Sequence, residues 1–542
     1  MDELDVQVLV VGGGPVGLAA AIELSRHGIS TLLVEKHAGT SIFPKARLIT
    51  TRTMEIFRAW GIVAEVERTG MPREEFLAVG VGSSLSSDDF VRSAAAIERD
   101  APQSPTYAYL CSQDHLEVIL RRLAESAPSA EVRYGTTMTG LRDTADGVEA
   151  EIEDGRSRTL VRARYVVAAD GARSGVREQL GIEVEGPPTL GHMISIMFDA
   201  DLGFLPPERR AALSFLRNPP CAVEAVDGGR RWMVQTGYEP EEGGSPADFT
   251  PQVCLDAVRG AVGVPDLPVD VVGVMPWLQQ AKVATGFQKG RVFLAGDAAH
   301  VATPQGGFGM NCGIQDAHNL AWKLAAVLHG TAGPYLLETY TEERRPIAAR
   351  TVDESLNNAL ITFHMMEGHL SMTEAIEQQA GRRSSEGLVL GFHYESAAVV
   401  PDGTPAPEPD DPYRTYVPTA RPGHRAPHTW LTSAGDHTGT DGRISTLDLL
   451  GPRFTLLTPA GSGWLQAAKE AAESSGVDME AVEISADGSG GLTSPTWARE
   501  YGLEESGAVL IRPDGHVGWR SCAGQPSQEA LLEALDTILA RS

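Results

Sequence analysis

Val6-Gln7-Val8-Leu9-Val10-Val11-Gly12-Gly13-Gly14-Pro15-Val16-Gly17 is the stretch whose reading decides the fold. The aliphatic, β-branched run from Val6 to Val11 reads as a strand buried on both faces of a parallel sheet. It stops at three glycines. Pro15 to His27 then has helical composition, with Pro15 tolerated in the first turn and Gly28 placed as a stop. Thr31 to Val34 reads as a second strand, so the first 35 residues spell β-α-β.

Within that unit, Gly12, Gly14 and Gly17 have the spacing of a dinucleotide fingerprint, and Glu35 closes the second strand. Residues without side chains let the chain turn sharply and bring its backbone against a pyrophosphate, whose charge the helix N–H groups then stabilise. Glu35 is placed to accept hydrogen bonds from an adenosine ribose. An acid at that position suits NAD and FAD equally. The turn therefore announces a dinucleotide without choosing between them.

The same strand-loop-helix style returns far downstream. Arg291 to Ala295 (RVFLA) reads as a short buried strand and Gly313 to Leu328 as an amphipathic helix. Between them lie Gly296-Asp297-Ala298-Ala299-His300 and then Pro304, Gly306, Gly307, Gly309, Met310 and Asn311. An aspartate at a strand end can accept a hydrogen bond from a polyol hydroxyl, and a glycine-rich loop offers backbone N–H groups to a ring or a phosphate. Taken alone, Asp297 reads equally well as a turn or helix-capping residue.

It does not stand alone. The stretch GRVFLAGDAAHVATPQGGFGMNCGIQDAHNLAWKLA resembles the second FAD-binding motif of the class A flavoprotein aromatic hydroxylases, the para-hydroxybenzoate hydroxylase-like family. Val167 to Arg177 (VAADGARSGVR) is similar to that family's DG motif, and Ser112 to Glu117 (SQDHLE) to its flavin-contacting glutamine segment. Within the family the likeness is to actinomycete aromatic polyketide hydroxylases of the aklavinone 11-hydroxylase kind, carried by Pro44 to Arg58, Gly391 to Asp402, Arg421 to His428 and Val509 to Arg520.

The resemblance implies an α/β fold: an FAD-binding Rossmann-like domain, an inserted β-sheet substrate domain and a C-terminal thioredoxin-like domain. It implies FAD as cofactor and NADPH or NADH as co-substrate. Gly12, Gly14, Pro15 and Gly17 would cradle the pyrophosphate, with Glu35 on the ribose and Lys36 beside it. Arg47 would reach the cofactor phosphates or lie near a moving isoalloxazine, and Gln113 would face the ribityl chain. Asp297 would bond the ribityl hydroxyls, with Pro304, Gly307 and the Gly309-Met310-Asn311 backbone against the flavin ring. Asp170 and Arg173 would form an NAD(P)H-linked pair. The implied chemistry is delivery of one oxygen atom of O2, held as a flavin C4a-hydroperoxide, to an electron-rich ring.

The expected domains are 1–180 (FAD-binding, first part), 181–284 (substrate-binding sheet), 285–400 (FAD-binding, second part, with a helical segment), 401–420 (linker) and 421–542 (thioredoxin-like). The linker rests on the proline- and acid-rich composition from Pro401 to Pro427. Beyond Cys312 the only cysteine is Cys522, so no redox dithiol is expected in the last domain, which takes a structural or interface role.

A net charge of −27 repels phosphate backbones and anionic lipid, so neither nucleic acid nor membrane is an expected partner. The expected partners are a small aromatic, polyketide-type substrate and O2, with the chain a monomer or homodimer. Five scattered cysteines without a CxxC pair give no zinc site, and with the acidic start Met1-Asp2-Glu3-Leu4-Asp5 they fit a cytoplasmic protein. No catalytic base is assigned: Tyr238, His192 and Arg217 are only candidates, none of them matches a motif, and a non-chemical role is the favoured reading of each. Phe198, Phe204, Phe215, Trp232 and Trp277 suit either a flat ligand or a core. Three alternatives stay open: Baeyer–Villiger or epoxidising oxygenation, inactivation of an antibiotic by hydroxylation, and a non-catalytic flavin-binding protein.

Overall fold

A computed structural model describes residues 2–71, 79–92, 103–371, 374, 385–433, 443–486 and 491–541. The strand Asp2–Val11 runs parallel between Arg158–Ala168 and Thr31–Glu35. Ala130–Tyr134 extends this sheet on one side and Val292–Leu294 on the other, both parallel to their neighbours. Val8, Leu9 and Val10 have no accessible surface, which is why their run shows no polar alternation.

Five helices frame the cleft: α1 (Pro15–Arg26), α2 (Thr51–Ala59), α3 (Gln113–Glu125), α4 (Gly309–Leu328) and α5 (Thr339–Met366). α1 packs against both α3 and α4, and its Leu18, Ala19, Ala20 and Ala21 are all buried. α4 begins four residues before the sequence signal at Gly313, because the loop glycine Gly309 already takes the first helical position.

The second sheet has seven strands in the order Asp270–Gln279, Gly191–Asp199, Arg231–Tyr238, Pro220–Ala225, Leu213–Arg217, Val79–Gly82 and Val91–Arg92. Its last two strands come from inside the expected 1–180 segment, so the 181–284 boundaries do not enclose the whole sheet. Val79–Gly82 (VGVG) carries glycines, which strands normally avoid. They are needed here: a Cβ on Gly80 would lie 2.2 Å from the Phe90 ring and 2.8 Å from Ser214 Oγ.

At the C-terminal end, Phe454–Pro459 pairs parallel with Met479–Ile484 and antiparallel with Ala508–Ile511, which pairs antiparallel with Val517–Ser521. Helices Trp464–Ser475 and Gln528–Ile538 complete a thioredoxin topology. Cys522 is free. The segment expected as a linker carries no helix or strand, yet Ala420 is buried in a core of the last domain and Asp402 pairs with Arg520 at 2.6 Å, so the stretch is packed against that domain. Among the described residues no helix is long and apolar enough to cross a membrane.

Candidate functional site

Gly12, at φ +109°, turns the chain where a Cβ would strike Ala169 O at 2.3 Å. A Cβ on Gly17 would come within 1.9 Å of Gly12 O, so α1 is seated directly on the turn. Gly14 differs. A Cβ there would meet nothing within 4 Å. Gly14 is also the N-cap of α1, with Pro15 first in the helix, no side-chain cap and no acidic residue in the first turn. The helix thus opens with unsatisfied N–H groups and a positive dipole end, an anion site in all but occupant. Glu35 accepts from Gly13 N–H at 2.7 Å and His37 N–H at 2.8 Å, which fixes the turn beside it, while Lys36 stays exposed.

The downstream motif lies against this turn. A Cβ on Gly296 would stand 2.7 Å from Val16 Cγ2, and one on Gly313 would stand 2.5 Å from the same methyl and 2.8 Å from Gly296 Cα. Val16, between Gly14 and Gly17, is therefore the shared contact of both glycine motifs. Asp297 follows at once. Its side chain is exposed by accessible surface, yet protein surrounds it on all sides, as on the wall of a deep cleft. The accessible surface decides what can reach it; the surrounding protein decides what its charge feels. That enclosure raises its pKa, with His300 and Lys45 pulling it down.

A buried cluster that the sequence reading missed holds the Asp297 loop. Asp316 Oδ2 accepts from Gly296 N–H at 3.0 Å and contacts His300 Nε2 at 2.7 Å, while Asp316 Oδ1 accepts from Arg344 Nε at 2.8 Å. Burial works against its charge, but His300 and Arg344 hold Asp316 below its ordinary pKa. Against the same burial penalty, Cys312 and Asp316 hold His300 well above the usual histidine value. His300, Cys312 and Asp316 could be taken for metal ligands by proximity. Arg344, 3.4 Å from Cys312 Sγ and bonded to Asp316, already supplies the cationic charge there. The available signal was the single carboxylate of this helix.

Asn311 knots the glycine-rich loop to the opposite wall. Its amide donates to Leu48 O at 2.8 Å and Gly307 O at 2.7 Å, and its oxygen accepts from Thr50 N–H at 2.9 Å. Gly307 N–H turns back to Pro304 O at 3.0 Å, Met310 is buried, and Gly309 opens α4. Gln113 sits at the start of α3 and donates to Glu117 Oε1 at 2.6 Å, while Glu117 Oε2 accepts from Ser41 N–H at 2.7 Å.

Arg47 does not reach the glycine turn. It pairs with Glu224 at 3.1 Å and donates to Ala225 O, both in the seven-stranded sheet, and to Ala212 O just before one of its strands. Asp170 and Arg173 do not pair among the described residues. Asp170 Oδ2 accepts from Val176 N–H at 3.1 Å, Oδ1 is buried without a partner there, and Arg173 is exposed.

Three contacts identify the sheet face that looks toward these motifs: Arg47 on Glu224, Phe43 against Gly273, and Gln279 Nε2 bonded to Gln305 Oε1 at 3.1 Å. Cross-strand register places Met275, Ser195, Gln235, Ala222, Phe215 and Val81 in one row on that face. Met233 lies beside Glu224 with Met197 next across the sheet, and Met193 lies beside Trp277. Trp277 Nε1 donates to the buried Ser195 hydroxyl at 3.0 Å. Phe198 and Trp232 belong to the opposite face, in the core under helix Pro251–Val262, and Phe204 is exposed. Tyr238 and His192 meet as tilted rings with centroids 5.5 Å apart, and Arg217 pairs with Asp89 at the surface. A cavity of about 460 Å³ beside Cys221, Val234 and Phe249 also lies on that outer side, away from the glycine motifs.

Residues 5–355 match the family model of the FAD binding domain, and residues 419–542 that of the C-terminal domain of aromatic-ring hydroxylases. The chain belongs to the FAD-binding aromatic-ring hydroxylases. This hydroxylase is 38% identical over 576 residues to the tetracenomycin A2 monooxygenase-dioxygenase of Streptomyces glaucescens, covering 100% of this chain and 98% of that one. Its fold superposes with TM-score 0.89 on the flavin-dependent monooxygenase PieE in complex with FAD and substrate, at 33% identity and 100% coverage of both chains. Against aklavinone-11 hydroxylase in ternary complex with FAD and aklavinone the TM-score is 0.86, at 34% identity and again 100% of both. The hydroxylase is thus a flavin monooxygenase whose relatives act on aromatic polyketides.

Proposed function

We propose that this chain hydroxylates a polycyclic phenol of the polyketide class, with FAD held between the two glycine motifs, NADPH or NADH as reductant and O2 as oxidant. The observation that carries the reading is the meeting of Gly296 and Gly313 on Val16, which brings Asp297 beside the uncapped start of α1. The residues fit FAD: an open anion site at one end, a cleft-wall carboxylate further along, and a glycine-rich loop after it. FAD supplies the redox chemistry, accepting hydride and activating O2.

The protein binds, orients and excludes water. Gly12, Gly14, Pro15 and Gly17 seat the pyrophosphate; Glu35, with Lys36 at its side, faces the adenosine end. Gln113 and Asp297 take the ribityl chain, and Pro304, Gly307, Gly309, Met310 and Asn311 form the wall at the ring. Arg47 acts from the substrate side, where its pairing with Glu224 ties the 44–48 segment to the inner sheet face. Asp170, with one oxygen buried and unsatisfied among the described residues, is the polar group offered to the reductant. On the inner face Met193, Met197, Met233 and Met275 give a polarizable wall for a flat ring system. Ser195, already accepting from Trp277, keeps its O–H to donate, and Gln235 adds an amide in the same row.

Purified protein should be yellow, and Asp297→Ala should weaken FAD binding about tenfold or more, as expected for loss of a hydrogen bond to a charged group. NADPH with a polycyclic phenol should bleach the flavin faster than NADPH alone and give a product heavier by one oxygen. Bleaching indifferent to every aromatic tested, or a ring-expanded lactone as sole product, would overturn the hydroxylase reading.

A further inference from the structure

The thioredoxin-like domain has no dithiol, yet it sends one turn deep into the FAD-binding half. The turn is Arg512-Pro513-Asp514-Gly515-His516, joining strands Ala508–Ile511 and Val517–Ser521. Asp514 Oδ2 accepts from Asn319 Nδ2 at 3.0 Å and Trp322 Nε1 at 3.2 Å, both on α4, and also from Arg512. The backbone oxygen of Asp514 accepts from Arg52 of α2 at 2.6 Å. Arg512 spans both oxygens of Glu343 on α5, at 2.6 and 2.9 Å. Glu343 in turn accepts from Lys323 and Asn319 of α4, each at 2.7 Å. A second arm of the domain, Arg425, forks onto Glu55 of α2, which also holds Arg52 at 3.0 Å.

All of these charged groups are buried. A buried ionic cluster of this kind does not add stability over an apolar core of the same volume; its geometry is discrete, and removing one member strands the others. Its value lies in fixing one arrangement of the elements it joins, and here the elements are α2 and α4. Those two helices make the cleft. Asn311, in the first turn of α4, grips Leu48 and Thr50 immediately before α2, and Asp316 of α4 grips Gly296 beside Asp297.

We propose that Asp514 and Arg512 are positioning residues for the flavin site, clamping α2 and α4 in the relation that FAD needs, so that domain docking and FAD binding are thermodynamically coupled. The coupling rests on the FAD reading above. It is reciprocal by necessity: what docking does for FAD affinity, FAD does for docking.

The test uses the full chain with and without FAD. In Asp514→Ala the FAD Kd, read by flavin fluorescence, should rise about fivefold or more, the lower end of what coupled sites show. Arg512→Lys, which keeps a cation opposite Glu343, should recover part of what Arg512→Met loses. In the wild type, hydrogen exchange of residues 508–521 should slow when FAD is added, an effect that a merely structural role for the turn would not produce. Unchanged FAD affinity in a folded Asp514→Ala variant overturns the proposal. If that variant does not fold, exchange of 508–521 that ignores FAD in the wild type overturns it alone. A wild type that binds no FAD would instead sink the cofactor reading, so the two failures are distinguishable.

Discussion

Two turns of this molecule are both glycine-bearing, and they are used in opposite ways. The turn from Gly12 to Gly17 leaves the start of α1 without a side-chain cap and leaves the space beside Gly14 open. The turn from Arg512 to His516 spends every charge it carries on the protein itself, with Asp514 bonded to α4 and Arg512 to α5. A turn that keeps backbone donors free is built to receive a small anion; one whose polar groups are internally matched is built to dock. Glycine content alone does not tell them apart. The partners of the neighbouring polar groups do.

The sharpest way to break the contrast is Gly17→Val. Any Cβ at that position collides with Gly12 O, so neither the turn nor the seat of α1 survives. The expected outcome is insoluble or flavin-free protein; a soluble, yellow variant would mean that α1 can lift from the turn at no cost. Arg512→Met attacks the other turn by leaving Glu343 and Asp514 buried without their guanidinium. Breaking such a pair costs about 3–5 kcal/mol, which chemical denaturation would register as a lower midpoint.

The docked region should also be the acid-labile one. Burial, with His393 and Arg421 adding to it, lowers His424 to about 3. Burial lowers His428 to about 4, helped by Arg425, and lowers His516 to about 4 against the opposing pull of Asp514. An unfolded histidine titrates near 6.5, so between about pH 6.5 and 4 the unfolded chain binds more protons than the native one. Their neutral burial therefore carries no penalty above about pH 6.5, and stability is lost as pH falls toward 4, by on the order of a few kcal/mol for the three together. His300 does not offset this, because its raised pKa leaves it charged in the folded state throughout that window. Denaturation midpoints followed by tryptophan fluorescence at pH 7, 5.5 and 4.5 should fall steadily; a flat series would mean these rings are already solvated.

The contrast also explains what was legible in the sequence. The glycine turn is a local device: strand, turn, helix and Glu35 lie within one short stretch, and Val6 to Val11 has no polar alternation to confuse it. The place of Asp297 was legible for the same reason, as the end of a short aliphatic strand, although its proposed role came from the resemblance and not from that pattern. The partners of Arg47, Ala212, Glu224 and Ala225, were not legible, because they lie some 165 to 178 residues away in or beside another sheet. Val79–Gly82 escaped notice because its glycines answer to Phe90 and Ser214, not to a strand propensity. The role of Asp514 carried no local sign, since Asn319 and Trp322 reach it, and Glu343 reaches Arg512 beside it, only through the docking of whole domains.

The smallest expected effect gives the finest test. Gly14→Ala adds a methyl where no protein atom lies within 4 Å, so the folded protein should keep its stability to within about 0.5 kcal/mol, as at surface positions. If the space belongs to the pyrophosphate, the methyl intrudes on the ligand, and FAD affinity should drop while the denaturation midpoint of the flavin-free protein does not move. Gly14→Val should deepen the first effect without creating the second. A loss of stability equal to the loss of affinity would put the methyl against protein instead, and the open turn would then be no more a receptor than the closed one.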